Sequence, residues 1–284
     1  CDKEDTFNES RIMFAYNELG LGAQEAFLDI CSFFSDWEWD EVACIVGEEE
    51  LECLHEGALV KRIEVEKYCY GYGCMIKVRR ISIHDLILTA GLNKSKGNRF
   101  RNADDFSKSL ESEENSSDLQ VLKLAATKIG AEFHHSHINA AIELEHHKKL
   151  KHLELSEFHI DNISSWQKLK LLQKLKLSDI KGLKELPRSI GNVQSLKVLY
   201  LRNCKEIEQL PASLGKLGCL QVLYLVGCEK LKQLPAGFGE LSSPTKLDLR
   251  SCSRLQELPC DFLKLSALQS LDLYDCSSLL GLPE

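Results

Sequence analysis

The sequence lacks any long apolar run, although 44% of its 284 residues are hydrophobic. A helix that spans a bilayer needs about 20 consecutive apolar residues, so we expect no membrane-spanning segment and no membrane partner. No secretory signal peptide is visible at the start of the sequence. Since the chain begins with Cys1 rather than Met and ends at Glu284 inside a repeat, we expect it to be a fragment of a longer protein.

An excess of positive charge is missing too. Lys and Arg number 35 against 43 Asp and Glu, which gives a formal charge of -8. The imbalance is strongest before Lys61, where sixteen acidic residues face only Lys3 and Arg11. Because nucleic acid is bound by basic surfaces that neutralise phosphates, we expect no nucleic-acid partner.

The phosphate-binding loop Gly-x-x-x-x-Gly-Lys-Ser/Thr does not occur. Residues 91–97 come nearest, but Asn98 stands where the lysine is needed. A nucleotide phosphate requires that backbone cradle and lysine, so we expect no ATP turnover, no catalytic residue and no cofactor in this chain by itself.

Twelve cysteines include no Cys-x-x-Cys pair, which disfavours a zinc site and gives no clear disulfide framework. We therefore expect reduced thiols and a cytoplasmic or nuclear protein. The glycosylation sequons at Asn8, Asn93, Asn115 and Asn162 argue the other way. A histidine-rich stretch over 134–152 has no cysteine or acidic ligand at a fitting spacing, so we interpret it as a connecting segment and expect no bound metal.

What is present is a 24-residue repeat in the second half of the chain. Leucine recurs in the order Leu-x-x-Leu-x-Leu, followed by cysteine at the ninth position and by a later Leu-Pro step. One of the leucine positions is occupied by Leu199, Leu223, Leu247 and Leu271. The ninth position is occupied by Cys204, Cys228, Cys252 and Cys276.

Each unit predicts one short strand whose leucines point into a shared core, with neighbouring strands stacked side by side. The Leu-Pro step takes the chain to the outer face, since proline needs no ladder donor. At the ninth position a small side chain can bond the neighbouring backbone. Metal binding or disulfides along the row of cysteines remain the alternative.

The repeat decays upstream but persists, with a 22-residue unit from Leu150 and an irregular one from Leu119. The pattern resembles that of leucine-rich repeats. We expect about seven repeats over 119–284, the last incomplete, which form an α/β solenoid of the horseshoe type.

On the concave face of such a solenoid we expect the variable strand positions to be exposed. Tyr200 and Tyr224 are expected to stack on adjacent strands with Arg202 beside them. Tyrosine and arginine are enriched at interaction hot spots, although exposed strand positions also favour them. The predicted partner-binding residues are Tyr200, Arg202, Tyr224, Asp248, Arg250, Asp272 and Tyr274.

The first part of the chain has a different texture. Four helices are predicted, followed by two alternating strands, which suggests a winged-helix-like domain over 8–92 and a polar linker over 93–118. The predicted helices are 11–19, 23–34, 37–46 and 50–60, and the predicted strands are 62–68 and 75–83.

Three segments in this part resemble plant intracellular immune receptors of the nucleotide-binding, leucine-rich-repeat (NLR) type. The segment Gln24–Phe34 (QEAFLDICSFF) is similar to their IFLDIACFF segment, and Phe14–Leu19 resembles their SYDGL stretch. Ile83-His84-Asp85 matches their MHD motif with Ile for Met. The residues of the FLDI segment are most similar to those of the receptor class that carries an N-terminal TIR domain, and that domain is not in this sequence.

The resemblance implies a switch. In such receptors the motif histidine reaches the phosphates of bound ADP, a role that falls by position to His84, with Asp85 supporting the local fold. ADP or ATP is implied only for the full-length family. The repeats would recognise a pathogen effector or a guarded host protein and contact the nucleotide-binding domain of the same receptor. The alternatives are that His84 and Asp85 begin a helix, and that the chain is a cytosolic repeat scaffold or part of a surface receptor.

Overall fold

The structure, a computed structural model, describes residues 12–31, 38–69, 74–83, 99–100, 120–125, 148–160, 163 and 166–283. The chain divides into two compact units, Cys1–Arg99 and Phe100–Glu284. None of the helices in these described ranges is long and apolar enough to cross a bilayer.

The first unit contains helices and a hairpin. Residues 12–17 are helical. They are followed by α1 (Leu21–Asp29), α2 (Trp39–Val46), α3 (Glu48–Glu56), β1 (Lys61–Cys69) and β2 (Cys74–Ser82).

The predicted hairpin is confirmed, since β1 and β2 pair antiparallel with Lys61 opposite Ser82. The fourth predicted helix is wrong at both ends. It begins two residues earlier than expected and ends at Glu56 rather than residue 60, because Gly57 follows and Ala58 adopts a left-handed φ of 56°.

Trp39 organises this unit. Trp39 is fully buried, and its ring makes a T-shaped contact with the His55 ring, with the two ring centroids 5.6 Å apart. The Trp39 indole N–H donates to Glu48 Oε1 at 3.2 Å. The guanidinium of Arg62 lies 4.9 Å from the Trp39 ring centroid, the geometry of a cation–π contact. These contacts tie both short helices to the first hairpin strand.

The second unit is built on a sheet in which seven strands follow the predicted repeats. The strands are β3 (Arg99–Phe100), β4 (Val121–Ala125), β5 (His152–Ser156), β6 (Lys174–Ser178), β7 (Val198–Arg202), β8 (Val222–Tyr224), β9 (Lys246–Asp248) and β10 (Ser270–Asp272). Their order is β10-β9-β8-β7-β6-β5-β4-β3, and β4 to β10 pair parallel. Strand β3 spans the boundary between the two units. It lies within the segment expected to be a linker and has no signature in the sequence.

The repeats are aligned in register. Leu199 pairs with Leu223, and Leu223 pairs with Leu247. All three are at most 2% exposed and belong to one continuous hydrophobic core that runs along the unit. The predicted leucine spine is therefore confirmed. Because one repeat cannot bury its own leucines, this core exists only through the stacking of neighbours.

Proline directs the chain away from the sheet, as expected. Pro187, Pro211 and Pro259 have φ of −63°, −69° and −63° and each precedes a turn of 3-10 helix. These turns are Arg188–Asn192, Ala212–Lys216 and Cys260–Lys264, with a shorter one at Phe238–Glu240. They form the side of the solenoid opposite the sheet.

Candidate functional site: the sheet face

The row of cysteines is structural in this fold. The Cys252 thiol donates to the carbonyl oxygen of Leu225 at 3.0 Å, and Cys228 donates to Leu201 at 3.5 Å. Cys204 and Cys276 make the same bond to the carbonyl 27 residues before them. Burial raises the pKa of Cys204 and of Cys252 to about 12, so these thiols stay protonated at neutral pH and serve as hydrogen-bond donors. The expected bond to neighbouring backbone is confirmed.

The residue before this cysteine position takes a left-handed conformation, which the sequence reasoning missed. Its backbone N–H donates to a carbonyl of the next repeat, as from Asn203 to Val226 O at 2.7 Å and from Gly227 to Arg250 O at 2.8 Å. The residues with positive φ at this position are Glu157, Asp179, Asn203, Gly227, Ser251 and Asp275. Several are Asn, Asp, Gly or Ser, the types that favour such turns, and this bias was the available signal.

We call the side of β5 to β10 that points away from the leucine core the sheet face. The tyrosines on it stack as expected, with the ring centroids of Tyr200 and Tyr224 4.0 Å apart and the planes at 22°. The ammonium of Lys246 lies 5.2 Å from the Tyr224 centroid. The Tyr224 ring thus has neighbours on both adjacent strands and is held in a fixed orientation.

The expectation that Tyr224 and Asp248 are exposed is wrong. Both are only 4% exposed. Strands about 4.8 Å apart bring large side chains into contact across the sheet, and Tyr200 and Lys246 both lie against the Tyr224 ring. Tyr200 is half-buried, whereas Arg202 and Tyr274 are exposed.

The two aspartates at this end of the face hold the local backbone and one arginine. Asp248 accepts from the Arg250 guanidinium through Nε at 2.9 Å and Nη2 at 2.6 Å. Asp272 lies 3.5 Å from Arg250 Nε. Asp248 also accepts from the Arg250 backbone N–H at 3.1 Å, and Asp272 from that of Tyr274 at 3.0 Å. Both carboxylates and Arg250 therefore have structural partners within the repeats.

The opposite end of the face carries a compact ionic cluster. Glu154, whose side chain is 7% exposed, lies 2.6 Å from the ammonium of Lys176 and 3.8 Å from that of Lys174. The Lys174 side chain is 2% exposed. Charge is compensated locally here, because each of these lysines faces the same carboxylate.

Other predicted site residues fall elsewhere. His84 and Asp85 lie outside the described residues, as does most of the histidine-rich stretch, of which His152 is described and buried. Within the described ranges, His, Cys, Asp and Glu side chains form no group of three placed to hold a metal ion.

Comparison with protein families identifies the repeat. Residues 109–204 match the model of R13L1/DRL21 LRRs, and residues 195–217 match that of the Leucine Rich Repeat. No curated protein matches the chain at a significant level.

The chain is similar to several solved structures of leucine-rich-repeat proteins. The leucine-rich-repeat domain of the type III effector XopL is 33% identical over 48% of this chain and 49% of its own, with a TM-score of 0.43. An LRR protein of Leptospira interrogans is 28% identical over 62% of this chain and 41% of its own, with a TM-score of 0.46. The Arabidopsis receptor kinase HAESA, solved with a peptide hormone and a co-receptor, is 24% identical over 62% of this chain and 28% of its own, with a TM-score of 0.42. The chain spans less than half of each of these proteins.

Proposed function

Because the chain is a leucine-rich-repeat protein, we propose that its sheet face binds a protein partner and that the whole is part of a plant intracellular NLR immune receptor. The observation that carries the first part is the ordered sheet face. The half-buried Tyr200 ring stacks on the buried Tyr224, and the exposed Arg202 lies beside Tyr200. A preorganised aromatic and arginine surface loses little conformational entropy when a partner docks. Repeat domains of this kind are generally non-catalytic scaffolds.

The receptor class rests on the first unit and on the order of its motifs. The QEAFLDICSFF segment precedes a helical region and a hairpin, and Ile83-His84-Asp85 follows that hairpin directly. We interpret helices and hairpin together as the winged-helix-like domain of such a receptor. The match of residues 109–204 to R13L1/DRL21 repeats also supports the proposal, since it hints at repeats of the resistance-gene kind.

In this proposal the chain has two roles, recognition of a protein partner and inhibition of a nucleotide-binding domain. The repeats bind a pathogen effector or a guarded host protein, and in its absence they help to hold a nucleotide-binding domain of the same receptor inactive. His84 would contact the ADP phosphates in the full receptor, with Asp85 supporting the local fold. The protein would act in the cytoplasm or the nucleus. Catalysis by this chain has no part in the mechanism.

The coding sequence upstream of Cys1 tests the receptor class. We expect an open reading frame that contains Gly-x-x-x-x-Gly-Lys-Ser/Thr between a strand and a helix, because ADP binding needs that backbone cradle and lysine. Sequencing the transcript towards its 5′ end gives the answer. A secretory signal peptide joined directly to this segment would contradict an intracellular receptor, and a start codon with no nucleotide-binding domain would leave only the repeat scaffold.

A further inference from the structure

Arg202 differs from the other cations of the sheet face. Lys174 and Lys176 lie beside Glu154, and Arg250 is clamped by two aspartates. The Arg202 side chain is exposed, and among the described residues no carboxylate lies within ion-pair distance of its guanidinium. Five donors in a planar fork are thus directed at solvent from the end of a rigid strand.

The surroundings of Arg202 add an apolar surface. Val226 occupies the equivalent position of the next repeat and is half-exposed, and the Asn203 N–H bonds the Val226 carbonyl at 2.7 Å, which fixes the step between the two. The half-buried Tyr200 ring precedes Arg202 by two residues on the same face of β7. Tyr200, Arg202 and Val226 form what we call the Arg202 patch. Arg202 is held by its pairing with Ser178 in the parallel ladder, and Val226 by the bond from Asn203 N–H. The three side chains therefore present a cation and an apolar surface about one strand spacing apart.

The chemistry that complements the Arg202 patch is a carboxylate next to an apolar side chain. Arg250, two strands further on at the equivalent position, shows how a guanidinium is satisfied here, since it binds the two oxygens of Asp248. A carboxylate supplied from outside would meet the same fork at Arg202. A polyanionic nucleic acid fits poorly, because Arg202 alone, on a protein of charge -8, cannot neutralise a series of phosphates.

The geometry points to an acidic segment of a partner protein as the ligand of the Arg202 patch, with an Asp or Glu carboxylate on Arg202 and a neighbouring apolar side chain on Val226 and Tyr200. This assignment rests on the proposed role of the sheet face in binding a protein, and it adds the chemical class of the segment that is bound.

A peptide selection tests the assignment without knowledge of the natural partner. The purified chain is immobilised and a random twelve-residue peptide library displayed on phage is panned against it. The enriched peptides are then measured against Arg202→Gln, Val226→Asp and the matched control Arg188→Gln. Arg188 is also exposed but lies on a 3-10 turn away from the sheet face. Because the Arg202 guanidinium has no ion-pair partner among the described residues, Arg202→Gln is expected to melt at the same temperature as the parent chain.

We expect the enriched peptides to contain Asp or Glu beside an apolar residue. Arg202→Gln should weaken their binding at least about tenfold, the loss of one charge-assisted hydrogen-bonded pair. Val226→Asp should weaken it through repulsion of the peptide carboxylate, and binding should fall as salt rises. Arg188→Gln should leave it unchanged.

The other outcomes separate the two levels of the proposal. Peptides that bind the sheet face and lose affinity on Tyr200→Ala, but are basic or neutral and ignore Arg202→Gln, would overturn the acidic-segment assignment and leave partner binding intact. Enriched peptides whose binding survives substitutions across the whole sheet face, or a library that yields no binders, would overturn both. Selection of phosphate-bearing ligands alone in a parallel phosphopeptide panel would overturn the carboxylate assignment.

Discussion

Replacing Leu223 by alanine is expected to lower the free energy of unfolding of the repeat unit by about 3 kcal/mol. Leu223 is 1% exposed and stands in register between Leu199 and Leu247. The substitution removes buried methyl groups and leaves a cavity whose walls belong to three repeats, so they cannot collapse without disturbing the sheet ladder. Urea unfolding followed by circular dichroism measures the loss.

The position of Leu223 in the middle of the stack adds a second expectation. In a solenoid each repeat is stabilised by its neighbours alone, so a weakened central repeat should also reduce cooperativity and flatten the urea transition. Leu263→Ala is the matched control, since that side chain is 62% exposed, and we expect it to change stability by less than about 0.5 kcal/mol. Equal losses in the two variants would show that the periodic leucines do not form a common core.

Replacing Gly215 by alanine is expected to destabilise the unit by about 3 kcal/mol, at the upper end of what overpacking costs. A Cβ on Gly215 would run into the backbone carbonyl of Gly237 in the next repeat. The same collision recurs one repeat earlier, where a Cβ on Gly191 would lie 2.5 Å from Ser213 O. Backbone cannot move aside as a flexible side chain can, so the stack itself would have to open on this side.

Gly218 supplies the control for this prediction, because the nearest atom to a Cβ there is Ser242 Oγ at 3.9 Å. Gly218→Ala should leave the thermal midpoint unchanged or raise stability by up to about 1 kcal/mol through the entropy of the unfolded chain. Leu263 occupies the position equivalent to Gly215 within its own 3-10 turn, so the turn does not demand glycine and the constraint comes from the neighbouring repeat. If Gly215→Ala were as stable as Gly218→Ala, this would contradict the close packing of the Gly215 turn against the backbone of the next repeat.

Much of this fold is predictable because the same spacing of leucines recurs in each repeat. A leucine at every 24th residue can be buried only if coils stack in register, and Leu199, Leu223 and Leu247 do so. The cysteine at the ninth position was likewise predictable, since a small donor is needed where the chain leaves the strand. The Tyr200–Tyr224 stack followed from the strand spacing alone.

The sequence of one repeat does not show which side chains of adjacent repeats it will contact, and the burial and bonding of several residues depend on those contacts. Asp248 and Asp272 looked like exposed binding residues because their positions are variable, but each bonds the backbone N–H two residues on and both approach Arg250. Tyr224 is buried, with Tyr200 and Lys246 of the adjacent strands against its ring, and its own repeat does not indicate this. The fourth helix was extended too far because residues 50–60 are apolar at helical intervals, whereas Gly57 and the left-handed Ala58 end it.

The fold and the sheet face both require that side chains 24 residues apart are neighbours across parallel strands. Nuclear Overhauser spectroscopy of the labelled chain measures this directly, without mutation. We expect cross-peaks between the ring protons of Tyr200 and Tyr224, and between backbone protons of Leu199 and Leu223 and of Leu223 and Leu247. Absence of every contact at this separation, with amide cross-peaks between residues three and four apart through 196–226, would indicate helices in place of the stacked strands and contradict both the fold and the binding surface built on it.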